Sequence, residues 1–151
     1  MANYRDQRHQ KPKFDTGKFK TIWITEGFDK DTIAFTEEFG AYLVKNRLTS
    51  SQIRIIYGEV KRIESGLGAI KETNTGSIKK YQKDFLLLKP KLAYAASRAG
   101  TTGILAFKEI MDKAHGAVSM DNVKTMKEHF ENFADFFEAI LAYHKAKGGR
   151  D

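Results

Sequence analysis

The chain has 151 residues, of which 41% are apolar and 12% aromatic, so it is long enough to bury one hydrophobic core as a single domain. It contains no cysteine, which excludes disulfide bonds, thiolate zinc sites and cysteine nucleophiles, and no apolar run approaches the roughly 20 residues that a membrane span needs. The net charge is +7, and because residues 49–98 carry 10 Lys and Arg against 4 Asp and Glu, the composition favours a polyanionic partner such as nucleic acid.

The chain begins with a polar segment that carries six cations, and we expect a flexible basic tail over residues 1–20 ahead of a helical domain over residues 21–147. This segment has no apolar signal region, which together with the lack of cysteine favours a cytoplasmic protein. Residues 21–25 are β-branched and aromatic but have no apparent partner strand. We therefore expect an extended piece that docks Trp23 on the helices.

The first clear helix is predicted over about residues 31–46. Its core-facing side chains follow an i, i+4, i+7, i+8 pattern and are Phe35, Phe39, Tyr42 and Leu43. Either Asp29 or Asp31 can cap the start of this helix, because a carboxylate accepts hydrogen bonds from the free N–H groups there.

The second helix is predicted to begin after Thr49, where Gln52 completes a capping-box pattern. Its buried face is predicted from one apolar stripe that contains Ile53, Ile56, Tyr57, Val60 and Ile63. Gly66 is placed to end this helix, since glycine readily adopts the left-handed conformation found at helix C-termini. The polar, glycine-bearing residues 66–77 predict a loop.

The third helical region spans about residues 78–99 and contains Pro90. Proline lacks the N–H that would bond the carbonyl four residues earlier, and it pushes Lys89 away from helical backbone angles. The sequence therefore predicts a bend, or two helices that meet at Lys89, so that both halves wrap one core.

Two further helices complete the chain. The shorter covers about residues 102–114 and is broken by Gly116, and the longest covers about residues 121–147, ahead of a frayed C-terminus at residues 148–151. The apolar stripe of the long helix contains Val123, Met126, Phe130, Phe133, Phe137, Ile140, Leu141 and His144.

Two aromatic residues of the long helix, Phe136 and Tyr143, fall off its apolar stripe, so they are either ordinary surface or a partner contact. The chain has no internal repeat and no heptad run. The predicted fold is all-α: a single-domain five-helix bundle with a proline-bent third helix and a long C-terminal helix.

Signatures of enzyme chemistry are weak. Gly66 and Gly68 form an isolated Gly-x-Gly motif, which follows a helix instead of a strand and lacks the rest of a dinucleotide-binding fingerprint. His144 lies on an apolar stripe and is interpreted as a core histidine. Four acids of the last helix interleave with phenylalanines, which favours a solvated face over catalysis; they are Glu128, Glu131, Asp135 and Glu138. Since no nucleophile, base and orienting group occur together, the sequence predicts no catalytic residue, no metal site and no cofactor.

The second and third helices each pair their apolar stripe with a basic one. At about 100° per residue, Arg54 and Lys61 are nearly eclipsed and Arg62 lies one residue's turn further round, while Lys91 and Arg98 fall on one line past the proline. Small residues and one aromatic lie beside these cations: Gly58, Ser65, Ala95 and Tyr94. Such stripes favour phosphate contacts, which give affinity without base specificity; an ordinary solvated basic surface is the alternative.

Two blocks, LTSSQIRIIYGEVKRI (residues 48–63) and FLLLKPKLAYAASRAG (residues 85–100), resemble the small-subunit family of type III-A CRISPR effector complexes, the Csm complexes. With the phenylalanine-rich last helix, the resemblance covers about residues 29–147. It implies a small all-helical protein without catalytic activity, several copies of which stack as a filament. That filament would run beside the guide RNA–target RNA duplex, between the large polymerase-like subunit and the repeated backbone subunit.

The resemblance also implies a role for the basic residues of the two blocks, which would hold the target RNA or contact neighbouring subunits. They are Arg54, Lys61 and Arg62 in the first block and Lys89, Lys91 and Arg98 in the second. Two other hypotheses remain open. One is a free-standing helical adaptor that binds an acidic protein, and the other is an enzyme, such as a nuclease that uses the acids of the last helix with a divalent metal.

Overall fold

The computed structural model describes residues 14–71 and 75–151, and within these ranges the chain forms helices and no strand. The α-helices are α1 (Ile22–Thr25), α2 (Lys30–Lys45), α3 (Ser50–Ala69), α4 (Ile78–Ala99), α5 (Thr102–Gly116) and α6 (Val123–Ala146). Short 3-10 turns at Thr16–Lys18 and Thr75–Ser77 precede α1 and α4. The predicted all-α bundle of five long helices is confirmed. None of the helices in the described ranges is both long and apolar enough to cross a membrane.

Side-chain caps fix where several helices begin. Asp29 is the cap of α2: its Oδ1 accepts a hydrogen bond from the Thr32 N–H at 2.9 Å, and this bond lowers the pKa of the Asp29 carboxyl. At α3, the backbone N–H of Thr49 donates to Gln52 Oε1 at 3.1 Å, as the capping-box pattern predicts. The local sequence therefore sets both helix starts within a residue of the predicted positions.

Helix α6 is the central element of the core. It packs against α1, α2 and α3, while α4 packs between α3 and α5. The predicted surface position of Phe136 is wrong, because this side chain is 0% exposed and its ring lies 6.1 Å from that of Phe35. The segment that contains Phe19 and Trp23 covers this flank of α6, with ring centroids 5.5 and 6.2 Å from Phe136. As a result, α6 buries a wider face than its single apolar stripe.

Two other local predictions are corrected. The segment 21–25 is not extended, since Ile22–Thr25 forms one helical turn, although Trp23 is docked as expected and only 1% exposed. Gly66 does not end α3, which continues to Ala69. A side chain at Gly66 would collide with the Tyr81 ring of α4, so this glycine permits close packing of α3 against α4.

Helix α4 is continuous from Ile78 to Ala99 with Pro90 inside it, so the alternative of two helices meeting at Lys89 is wrong; the bend remains a prediction. The Phe85 carbonyl, five residues before the proline, bonds His115 Nε2 of α5 at 2.8 Å. This bond ties α4 to α5 next to the site where proline interrupts the backbone ladder.

Both ends of the described chain lie against the bundle. Residues 1–13 of the predicted basic tail are outside the described residues, and Phe14 and Phe19 pack on the core. The predicted frayed end at residues 148–151 lies beside the start of α3, where the Ser50 N–H donates to the Arg150 carbonyl at 2.9 Å.

Candidate nucleic-acid interface

The six predicted RNA-binding cations are all exposed, but they divide among three places on the surface. They are Arg62, Lys91 and Arg98 on the facing sides of α3 and α4, Lys61 on the side of α3 near α6 with Arg54 two turns earlier near Asp151, and Lys89 on the side of α4 that faces α5. The basic stripes of the two helices therefore do not merge into one continuous strip. Helical periodicity fixes which residues share one side of a helix, but the packing angle between helices decides which sides meet.

An ion-pair network crosses from α3 to α4 at one end of their shared surface. Arg62 Nη2 lies 2.7 Å from Glu59 Oε2 and 3.1 Å from Asp84 Oδ2, and Lys91 Nζ lies 3.6 Å from the same Glu59 oxygen. The hydrogen bond from Arg62 is the main reason that the pKa of Glu59 is lowered. These pairs are solvent-exposed, so each contributes only about 0–1 kcal/mol and an RNA phosphate can replace the carboxylate at small cost.

Lys61, on the side of α3 near α6, lies in an acidic environment. Lys61 Nζ pairs with Glu64 Oε1 at 2.8 Å, and this hydrogen bond is the main reason that the pKa of Lys61 is raised. The negative charge of Glu138 on α6 raises the same pKa further. Burial raises the pKa of Asp135, and the negative charges of Glu64, then those of neighbouring α6 acids including Glu138, raise it further. An anionic strand would be repelled here, which makes this side a poorer RNA surface than the α3–α4 side.

Three of the predicted cations, Arg54, Lys89 and Arg98, make no ion pair with an acid among residues 14–71 and 75–151. Arg98 Nη1 instead donates to the Tyr94 hydroxyl at 3.3 Å, four residues earlier on α4. Lys89 borders a small depression that also contains Asp112.

An open groove of about 1020 Å³ separates the exposed edges of α3 and α4; we call it the α3–α4 groove. Its larger lining side chains include Gln52, Ile55, Leu87, Lys91, Tyr94 and Arg98. Ile55 is 78% exposed and Tyr94 is 66% exposed, so the apolar floor is open to solvent while cations stand at its rim. Small residues on α4, Ala95 and Ala99, leave the space unfilled.

The sequence prediction missed part of this surface. Ile55 and Leu87 lie off the core stripes of their helices, and an apolar residue off the stripe is the signal that identifies an exposed apolar patch. Lys80, which borders a separate depression beside Tyr81, was also missed, although it precedes Lys91 by eleven residues and Arg98 by eighteen, which are about three and five helical turns. The basic stripe of α4 is therefore longer than the two cations past the proline.

The buried histidines are structural. His144 is 1% exposed and its Nε2 bonds the Leu48 carbonyl at 2.6 Å, which confirms the core interpretation. His115 is also buried, and burial is the main reason that its pKa is lowered. Within the described ranges, no group of three or more His, Asp or Glu side chains is arranged to hold a metal ion.

A protein-family model described as Csm2 Type III-A matches residues 29–150 of the chain. This range includes both sequence blocks, all six predicted cations and the whole of α6. Neither a search of curated proteins nor a search of solved structures found a match.

Proposed function

The chain belongs to the Csm2 Type III-A family, a family of small non-catalytic structural subunits of type III-A CRISPR effector complexes, and from that premise we propose that it holds target RNA by sequence-independent phosphate contacts. Copies stack as a filament beside the guide–target duplex, next to the large polymerase-like subunit and the repeated backbone subunit. The chain itself catalyses no reaction and works in the cytoplasm.

The observation that carries the RNA-binding part is the uneven distribution of charge around α3. On the α4 side, Lys91 and Arg98 line an open groove, Glu59 links Arg62 to Lys91, and Asp84 pairs with Arg62. The α6 side is crowded with carboxylates instead. Because RNA binding depends on phosphate neutralisation, the α3–α4 side is the surface that favours RNA.

The individual side chains suit different parts of that task. Arg62 and Arg98 present planar guanidinium groups that can fork onto two phosphate oxygens, whereas Lys91 supplies a point charge. We assign these three to the target strand. Arg54, Lys61 and Lys89 point to other sides of the bundle, and we assign them to contacts with neighbouring subunits.

Two double variants with the same change in charge test this assignment. Lys91→Ala/Arg98→Ala removes two cations from the α3–α4 groove, and Arg54→Ala/Lys61→Ala removes two from the line of α3 that passes near α6. Filter binding of single-stranded RNA is measured over a range of salt concentrations. Each lost phosphate contact flattens the log–log slope by about 0.7, so the groove variant should flatten it by about 1.4 and the control variant should not. An equal effect of the two variants would refute the assignment to one face.

A free-standing adaptor for an acidic protein is the second candidate, and the exposed apolar floor of the α3–α4 groove favours it, with Ile55 78% exposed. An acidic partner with apolar side chains would match both the floor and the cationic rim. Such a complex would survive nuclease treatment with no RNA present, and it would be lost in Ile55→Asp. Binding that disappears after nuclease treatment favours the RNA-contacting subunit.

A further inference from the structure

Tyr94 is an aromatic side chain placed where no core requires it. It lies on α4 three residues after Lys91 and four residues before Arg98, and 66% of it is exposed. Residues three and four apart are neighbours on a helix surface, so both cations share its side of α4. This interleaving of an aromatic ring with cations is the arrangement that single-stranded nucleic-acid sites use.

The surroundings of Tyr94 provide room beside the ring. The α3–α4 groove has a volume of about 1020 Å³, comparable with the upper end of the roughly 300–1,000 Å³ of small-ligand sites. Its floor is apolar at Ile55, Leu87 and Ala95. The hydrogen bond from Arg98 Nη1 to the Tyr94 hydroxyl, at 3.3 Å, ties the ring to the cationic rim.

The charge of the rim decides which occupant fits. Lys91 and Arg98 border the groove, and none of the described residues that line it is acidic. An apolar peptide would add no anion for these cations, which otherwise have only the Glu59 carboxylate and the Tyr94 hydroxyl. A nucleotide matches both the apolar floor and the cationic rim. Its base offers a flat surface that stacks on the Tyr94 ring, and the phosphate attached to its sugar is an anion for the rim cations.

We infer that the α3–α4 groove is a subsite for one unpaired nucleotide of RNA, whose base stacks on Tyr94 while its phosphate lies at Lys91 and Arg98. The inference rests on the proposed function, since it names the ligand of the same surface. Stacking of this kind accepts any base, so the subsite adds affinity without sequence preference.

The test compares Tyr94→Ala with Tyr94→Phe in the full-length chain, using single-stranded RNA of mixed sequence. Loss of one stacked base weakens binding about 5- to 150-fold, so the RNA affinity of Tyr94→Ala should be lower than that of wild type by a factor in this range. The affinity of Tyr94→Phe should stay near that of wild type. Both variants should keep the wild-type salt slope, because the phosphate contacts remain. Leu105→Ala, at a 53% exposed position on α5, is the matched control for removing an exposed large side chain.

A second readout places the base directly. RNA that carries 2-aminopurine at one position loses fluorescence when that base stacks on an aromatic ring, so wild type and Tyr94→Phe should quench the signal and Tyr94→Ala should not. Circular dichroism of each variant checks that the helices are retained.

The outcomes separate this inference from the proposed function. If Lys91→Ala/Arg98→Ala weakens RNA binding while Tyr94→Ala neither weakens it nor changes quenching, the stacking subsite is refuted and the phosphate-binding surface stands. If Tyr94→Ala abolishes association with a protein partner and leaves RNA affinity unchanged, the groove is a protein-docking site and the inference is wrong. If the wild-type chain binds no RNA at low salt, both proposals fail.

Discussion

Glu59 holds two of the proposed RNA-binding cations, and its removal should strengthen RNA binding. Its Oε2 lies 2.7 Å from Arg62 Nη2 and 3.6 Å from Lys91 Nζ, so one carboxylate competes with phosphate for both side chains. Glu59→Gln removes this charge and keeps the size of the side chain. The lowered pKa of Glu59 means that the wild-type carboxylate is ionised throughout the neutral range in which binding is measured.

The magnitude follows from the exposure of the pairs. Exposed ion pairs are worth about 0.2–1 kcal/mol each, and two of them are released, so RNA affinity at low salt should rise roughly 2- to 30-fold. If both cations then reach phosphates that they did not contact before, the log–log salt slope should steepen by up to about 1.4. The helical fold should change little, because each exposed ion pair contributes at most about 1 kcal/mol to stability.

Filter binding of single-stranded RNA over a salt series measures both quantities, and two further variants control for the loss of an acid. Asp84→Asn breaks one pair of Arg62 and leaves both pairs of Glu59 in place, so its effect should be smaller than that of Glu59→Gln. Glu64→Gln releases Lys61 on the side near α6 and should leave RNA affinity unchanged within a factor of two or so. If Glu59→Gln leaves affinity and slope unchanged, or if Glu64→Gln raises affinity equally, the placement of RNA on the α3–α4 side is wrong.

Three predictions concern the fold that presents this surface. Gly40→Ala would place a Cβ 2.7 Å from the Cβ of Tyr143, so it should lower the free energy of unfolding by about 1–3 kcal/mol. The added Cβ of Gly58→Ala meets no atom within 4 Å, so this variant should raise the free energy of unfolding by about 0.5–1 kcal/mol. Urea unfolding of both variants measures the difference. Phe136→Ala removes a ring that is 0% exposed, which should cost about 3–5 kcal/mol in the same assay, and a loss below 1 kcal/mol would contradict its core position. The pKa of His115 is lowered from 6.5 mainly by burial, so as the pH falls the imidazole is protonated in the unfolded chain before it is protonated in the folded one. The free energy of unfolding should therefore be highest above pH 6.5 and should decrease as the pH drops toward the folded pKa. His115→Gln should reduce that pH dependence, and an identical pH profile would refute the assignment.

The fold was predictable from the sequence because helical periodicity and capping residues are local signals. The first long helix was expected over residues 31–46 and is observed at Lys30–Lys45, since its cap and its core stripe agree. Gly66 misled the prediction of the helix end because its role is tertiary. It makes room for Tyr81 of α4, and nothing in its local sequence separates that role from a helix stop.

The candidate site was predictable only within each helix. Arg62 and Glu59, and likewise Lys61 and Glu64, are three residues apart, a spacing that predicts ion pairs, so these partners could have been found from the sequence. The pair between Arg62 and Asp84 depends on how α3 packs against α4, which the sequence does not specify residue by residue. Lys89 lies on the far side of α4 from Lys91 because two residues correspond to about 200° on a continuous helix, which the sequence could have shown had the helix been known to continue through Pro90.

Segregation of charge between α4 and α6 constrains how the subunit can sit in an RNA-containing complex. If α6 faced the RNA, the carboxylates that already raise the pKa of Asp135 would come close to phosphates as well, and their mutual repulsion would grow. If the α3–α4 groove faces the RNA, the cations gain anionic partners and the acids stay in solvent or meet basic groups of a neighbour. The second orientation lowers the electrostatic energy on both sides of the bundle, so we expect neighbouring protein subunits that contact α6 to present basic surfaces there.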